Sequence, residues 1–219
     1  MKRKWKLWMI AFVLFVMTDI MMQSNRAEAK KRTFTVSSKT IPCSSSYRQK
    51  PYYNKKTKQY YMINSYMRRL STTGGTLKLK KGTYKIPGTI YVPSNVKIVC
   101  ANGVKIKKTK ATGTKKVKST KFLFQMISEE KASGKQNTGK YAASKNASIQ
   151  GNGKVIFDMG NVNGATAVFV GHASGITVSG VRFRNKKGGS YIWIEGSKNI
   201  SVRQCVFERK KDVSGLKNR

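Results

Sequence analysis

Acidic residues are scarce in this chain: 8 Asp and Glu stand against 45 Lys and Arg in 219 residues, for a formal charge of +37. So lopsided a surface repels cations and copies of itself and is drawn to polyanions by long-range, salt-screened attraction. Nucleic acid, anionic cell-wall polymer, acidic polysaccharide and anionic membrane all qualify as partners. Histidine occurs once, at His172. Cys43, Cys100 and Cys205 are an odd number at wide spacings, which excludes both a disulfide framework and a Cys-x-x-Cys metal site. Cys205 reads instead as a small buried apolar residue. With only 4 prolines, 19 glycines and 39% hydrophobic residues, the composition suits a folded chain, and its length suits one domain.

Long apolar runs are limited to one. MKRKWK is a basic leader, LWMIAFVLFVM an apolar stretch, and Ala27-Glu28-Ala29 a small-x-small cleavage site, so residues 1–29 read as a signal peptide. An uncleaved membrane anchor is the alternative, but Asp19 interrupts the run short of the ~20 residues that a spanning helix needs. Removing residues 1–29 takes away five basic and two acidic groups, lowering +37 by three to +34. The expectation is a secreted or cell-surface protein that meets a membrane only through an uncleaved leader. Export argues against nucleic acid as a partner.

A fixed offset of 24 residues brings like residues together: Val168 with Ile192, Val170 with Ile194, Ile176 with Ile200, Val178 with Val202, Val181 with Cys205 and Phe183 with Phe207. Within each unit apolar residues alternate with small or polar ones, the period of strands with one buried face. Three short strands per unit with Gly, Ser and Asn corners predict a coil of parallel β-structure. At an offset of 51, Ile98 matches Ile149 and Ile106 matches Phe157, a distance read as about two turns. The surplus lies in 107–146, where a central strand FLFQMI is flanked by polar loops. Upstream, Tyr60, Ile63, Met67 and Leu70 fall at helical spacing before Gly74 and Gly75, which predicts a helix. Its position suggests a cap over the first coil, with an ordinary surface helix as the alternative.

GGTLKLKKGTYKIPGTIYVPSNVKIVCANGVKI resembles the opening of pectin-lyase-like proteins, and SGVRFRN and SKNISVRQCVFE resemble the coils of polygalacturonases. The resemblance spans roughly residues 60–208 and implies an all-β, right-handed parallel β-helix. It is specific for fold and not for activity, since hydrolases, lyases, epimerases and non-catalytic binders share these motifs. The expected organisation is a leader at 1–29, an N-terminal segment and capping helix at 30–74, coils at 75–208 with a basic insertion near 107–146, and a basic tail at 209–219.

Catalysis finds little support. Glycosidases need two positioned carboxyl groups, and the Asn-Thr-Asp, Asp-Asp and Gly-His-Gly motifs of polygalacturonases are missing. Glu129 and Glu130 read as a solvated turn, Asp158 as a corner residue, and Glu208 and Asp212 as part of a basic end. His172 reads as a corner or packing residue. Pectate lyases hold calcium with several carboxylates, and Glu195 alone cannot supply them; no metal or cofactor is expected.

Alternation instead turns Phe169, Tyr191, Trp193 and Glu195 outward, with Arg182, Arg184 and Arg203 on neighbouring outward phases. Aromatic faces suit sugar rings and arginine forks suit carboxylates, unless the 107–146 loops cover them. The expected function is association with an acidic polysaccharide or another anionic cell-surface glycan, without catalysis. One alternative is the N-terminal part of a polysaccharide lyase or polygalacturonase-like hydrolase whose catalytic carboxylates lie downstream. The other is a nonspecific polyanion binder.

Overall fold

Buried and exposed residues alternate along the strands, as where Leu77 and Leu79 are buried about exposed Lys78, and Val96 and Ile98 about exposed Lys97. The structure, a computed structural model, describes residues 32–134 and 138–208. The leader expected at 1–29 and the basic tail expected at 209–219 lie outside the described residues.

The strands form three sheets. The first contains, in spatial order, Arg32–Val36 (β1), Gly75–Leu79 (β2), Val96–Cys100 (β5), Ser148–Gly151 (β8), Ser174–Ser179 (β11) and Lys198–Arg203 (β14). The second runs from Ile90–Tyr91 (β4) through Phe122–Gln125 (β7) and Thr166–Gly171 (β10) to Ile192–Glu195 (β13). The third runs from Gly82–Ile86 (β3) through Val104–Lys108 (β6), Ile156–Asp158 (β9) and Arg182–Arg184 (β12) to Val206–Phe207 (β15). Every pairing is parallel. From β4 onward the chain visits the second, first and third sheets in turn, four times over, so each circuit lays one coil on the last.

The 24-residue offset is the coil register itself: Val168 pairs with Ile192, Ile176 with Ile200, Val178 with Val202 and Phe183 with Phe207. The 51-residue offset is different from the expectation. Ile98 pairs directly with Ile149 and Ile106 with Phe157, so 51 residues make one enlarged coil rather than about two turns. Two loops account for the excess, one on each side of β7.

Corners depend on left-handed backbone. His172 and Gly196, Gly175 and Asn199, and Gly180 and Gln204 are pairs 24 residues apart, with φ between 51° and 67°. The turn geometry thus repeats even where the residue type does not, and His172 occupies such a corner as expected. Glycine adopts this conformation without the steric cost that a side chain brings.

A column of aromatic rings runs through the core. Phe124 stacks on Phe157 at 5.2 Å, Phe157 meets Phe183 edge-on at 5.5 Å, and Phe183 stacks on Phe207 at 5.2 Å. Full burial of such a side chain contributes about 1.5–3 kcal/mol. At one end the column is covered. Three helices occur among the described residues: Ser45–Arg48 (α1), Lys58–Leu70 (α2) and Glu129–Ser133 (α3). Helix α2 packs on β2, β3 and β4 and buries Met62, Ile63, Met67 and Leu70. Strand β1, which the alternation did not reveal, extends the first sheet at the same end.

At the other end no described strand lies beyond β13, β14 and β15. Ile194, Val202 and Phe207 therefore remain 47%, 38% and 49% exposed, whereas Val170, Val178 and Phe183 one coil back are buried. Cys205 is half-buried for the same reason, a correction to the buried position expected from its match with Val181. Cys100 is fully buried, which pushes its thiol up to about 12 and leaves it protonated and inert at neutral pH.

Candidate functional site

Three aromatic rings stand on the second sheet. Phe169 and Trp193 are register partners, and their rings meet at 5.2 Å with planes 65° apart. Phe122, at the start of β7, stacks on Phe169 at 4.7 Å with planes 11° apart and lies 6.3 Å from Trp193. Trp193 is 46% exposed, while Phe122 and Phe169 are half-buried. The loops flanking β7 leave the Trp193 face open, and one of them delivers Phe122 as a further rung. Gly171 makes room for this arrangement: a Cβ there would sit 2.7 Å from the Phe169 ring. Glu195, exposed, is the register partner of Gly171.

Tyr191 does not join the ladder. Its ring packs at 5.7 Å from Phe183 and 6.0 Å from Phe207, and its hydroxyl donates to the Glu208 carbonyl at 2.6 Å. This corrects the outward placement expected from alternation. The segment 185–191 is a connection between strands, and the period of two does not extend across it.

The arginines lie elsewhere. Arg182 and Arg184 stand on the third sheet and Arg203 on the first, beside Ser179. Along the third sheet Thr83, Lys105, Ile156 and Arg182 form one row in register, and Lys85, Lys107, Asp158 and Arg184 another. Asp158 organises the cations around it. Its side chain is 4% exposed and lies 3.1 Å from the Lys105 Nζ and 3.3 Å from the Arg184 guanidinium. Asn185 donates to it at 2.9 Å and the Gly160 amide at 3.0 Å. Burial alone would raise this carboxyl's pKa, but the bonds from Asn185, Gly160 and Lys105, with the Lys105 charge, outweigh burial and hold it below its ordinary value. The corner role expected of Asp158 is present in its bond to Gly160. Its grip on cations from two other coils is an addition. Arg182 pairs with Glu208 at 3.0 Å. Beside these residues a groove of about 690 Å³ is lined by Lys154, Arg182, Arg184 and Gln204.

The remaining carboxylates are dispersed. Glu129 is half-buried and accepts from the Tyr47 hydroxyl at 3.3 Å, which corrects the solvated turn expected there. Glu130 is exposed and lies 3.7 Å from Arg68. Among the described residues no group of three or more His, Cys, Asp and Glu side chains is placed to hold a metal ion. His172 lines a shallow cleft of about 610 Å³ with Lys140, Tyr141, Ile194, Gly196 and Ser197. No helix among the described residues is long and apolar enough to cross a membrane.

Comparison of the chain with family models, curated proteins and solved structures finds no match in any of the three.

Proposed function

We propose that this protein is an exported, right-handed parallel β-helix of the pectin-lyase-like type that binds an acidic polysaccharide or another anionic cell-surface glycan without transforming it. Right-handedness is supported by the near-universal hand of parallel β crossovers, and export by the leader pattern of residues 1–29. The observation that carries the binding reading is the Phe122–Phe169–Trp193 ladder, a set of contiguous rings whose outermost member is nearly half exposed. Such faces pack on the apolar faces of sugars. Lys105 and Arg184 around Asp158, and Arg182 beside Glu208, supply cations for the acidic groups of the glycan.

The test is a pull-down against polygalacturonate, teichoic acid and neutral glucan with the wild type, Trp193→Ala and Phe169→Ala. Retention on the anionic glycans should fall about tenfold in each variant, the upper end of what one aromatic contact contributes. Equal retention of all three proteins removes the ladder from the account. Release of shortened or unsaturated product by the purified protein would move it to the lyase or hydrolase reading. Equal affinity for DNA, lost steeply with salt, would leave only nonspecific polyanion binding.

A further inference from the structure

Strand β6 buries Val104 and Ile106, and the same phase carries Lys108 to 0% exposure opposite Ile86, an apolar slot in the core. Its Nζ donates to the carbonyls of Pro87 at 2.9 Å, Gly88 at 3.0 Å and Phe122 at 2.9 Å, and to the Thr120 Oγ1 at 3.2 Å. An ammonium has three protons, so one of them serves two of these four oxygens. Burial of a charge is tolerated only when it is fully hydrogen-bonded, and here backbone dipoles and a hydroxyl do the work.

The four oxygens come from two places. Pro87 and Gly88 belong to the turn before β4, and Thr120 and Phe122 to the point where the 109–121 loop re-enters the second sheet. The Thr89 hydroxyl binds that of Thr120 at 2.7 Å, and Asn64 of α2 donates to the Thr89 carbonyl at 3.0 Å. The ammonium therefore closes the neck of a loop that carries Lys110, Lys115, Lys116 and Lys118, whose like charges favour opening. One of the caged carbonyls belongs to Phe122, whose ring forms the first rung of the aromatic ladder.

We propose that Lys108 is the positioning residue of that ladder: its ammonium, caged by three carbonyls and a hydroxyl, locks the loop neck and thereby sets the Phe122 ring against Phe169. The inference rests on the reading of the ladder as the glycan-binding face, and a readout that needs no glycan tests it separately.

Charged or titratable groups on the elements packed against Lys108 are Tyr84 and Lys85 of β3, Tyr91 of β4, Tyr60 of α2, which lies over Gly88, Lys107 beside it, Lys121 at the neck and Asp158 on the next strand. Burial, then the neighbouring phenols and Glu129, holds Tyr60 above its ordinary value, and Asp158 is held below its own. Burial pushes Lys108 down to about 7. A neutral amine has two protons and turns a lone pair toward an oxygen, so the cage loosens as pH rises through that value.

Tryptophan occurs at positions 5, 8 and 193 only, so the full chain with Trp5 and Trp8 changed to Phe reports on the ladder through Trp193 alone. In that background Lys108→Met and Lys108→Ala should red-shift Trp193 emission, speed its quenching by acrylamide and weaken polygalacturonate binding about tenfold. Propylammonium should restore the emission of Lys108→Ala, and tetramethylammonium, which has no N–H, should not. Unchanged emission and quenching in a folded Lys108→Met protein, or equal rescue by both amines, overturns the proposal. Should both variants fail to fold, the unmutated cage decides: Trp193 emission should shift with a midpoint near pH 7, also when His172 is changed to Gln, and a flat profile from pH 6 to 9 overturns it. If the emission changes occur but no glycan is bound, the proposed function fails and the role of Lys108 in the ladder stands.

Discussion

Replacing Asp158 by Asn tests whether one buried carboxylate organises the third sheet. Asn keeps an oxygen for the Gly160 amide and for Asn185, so what is lost is the negative charge facing Lys105 and Arg184. Removing one member of a buried ion pair costs about 3–5 kcal/mol because the other is stranded. Here both stranded cations have side chains 31% exposed and can turn toward water, so the expected loss is smaller, about 2–3 kcal/mol. Urea unfolding at neutral pH should report it as a lower midpoint with little change in slope. The pH dependence carries its own sign. The folded carboxyl titrates below the ordinary aspartate value of 3.8, so its stabilisation is fully present above that value and is lost as pH falls through the folded value. The gap between wild type and Asp158→Asn should therefore be constant from pH 5 to 8 and narrow below about pH 4. A gap under about 0.5 kcal/mol at pH 7, the size expected of an ordinary surface change, would refute the claim that Asp158 holds the array. So would a gap that persists undiminished at pH 2.

Further consequences concern the stack and its faces. Phe183→Ala should cost about 3–5 kcal/mol and Phe207→Ala only about 1–2, because the first ring is fully buried and the second is half exposed on its outer side; equal costs in urea unfolding would contradict the coil order. At Gly151 the added methyl of alanine would collide with the Gly180 carbonyl of the next coil, so Gly151→Ala should lose about 1–3 kcal/mol by overpacking, and a neutral result by thermal unfolding would mean that the corners approach less closely. Trp193→Ala and Arg184→Ala stand on different sheets, so their effects on polygalacturonate affinity should add within about 0.3–0.5 kcal/mol; a larger coupling would mean that the two side chains grip the same group.

The register was legible because coil stacking forces like residues into line. A 24-residue offset read from Val168 to Phe207 is the strand pairing itself, and alternation correctly turned Phe169 and Trp193 outward. Where an insertion changes the coil length the same reading loses its ruler. Phe124 lies under Val168, 44 residues away, and no repeat points from Phe122 to Phe169. Lys108 was hidden by convention, because lysine is read as solvent-facing even where Val-Lys-Ile-Lys-Lys places it in phase with Val104 and Ile106. For Asp158 the local bond to Gly160 is visible in sequence, but Lys105 and Arg184 reach it only through the stacking of three coils. The arginines were the most instructive displacement. Outward phase says that a side chain leaves the core, and only the ordinal place of its strand in the coil says in which of three directions.

That distinction bears on how a glycan could lie. Neighbouring coils repeat at about 4.8 Å along the stack, so a chain lying parallel to the axis meets the residues of a single sheet. On the second sheet it meets Gln125, Phe169 and Trp193 in one row, and on the third Lys107, Asp158 and Arg184. To touch Trp193 and Arg184 together a ligand must cross the 185–191 corner between β12 and β13, where Lys186 already lies 5.9 Å from the Tyr191 ring centre. An axial chain on the third sheet would be held by charge and weakened by salt. One on the second would be held by ring contact and spared by it. Salt dependence measured separately on Trp193→Ala and Arg184→Ala therefore distinguishes the two lies: for a chain on the third sheet, loss of Arg184 should flatten it and loss of Trp193 should leave affinity unchanged, and for one on the second, loss of Trp193 should lower affinity with the slope intact and loss of Arg184 should change neither.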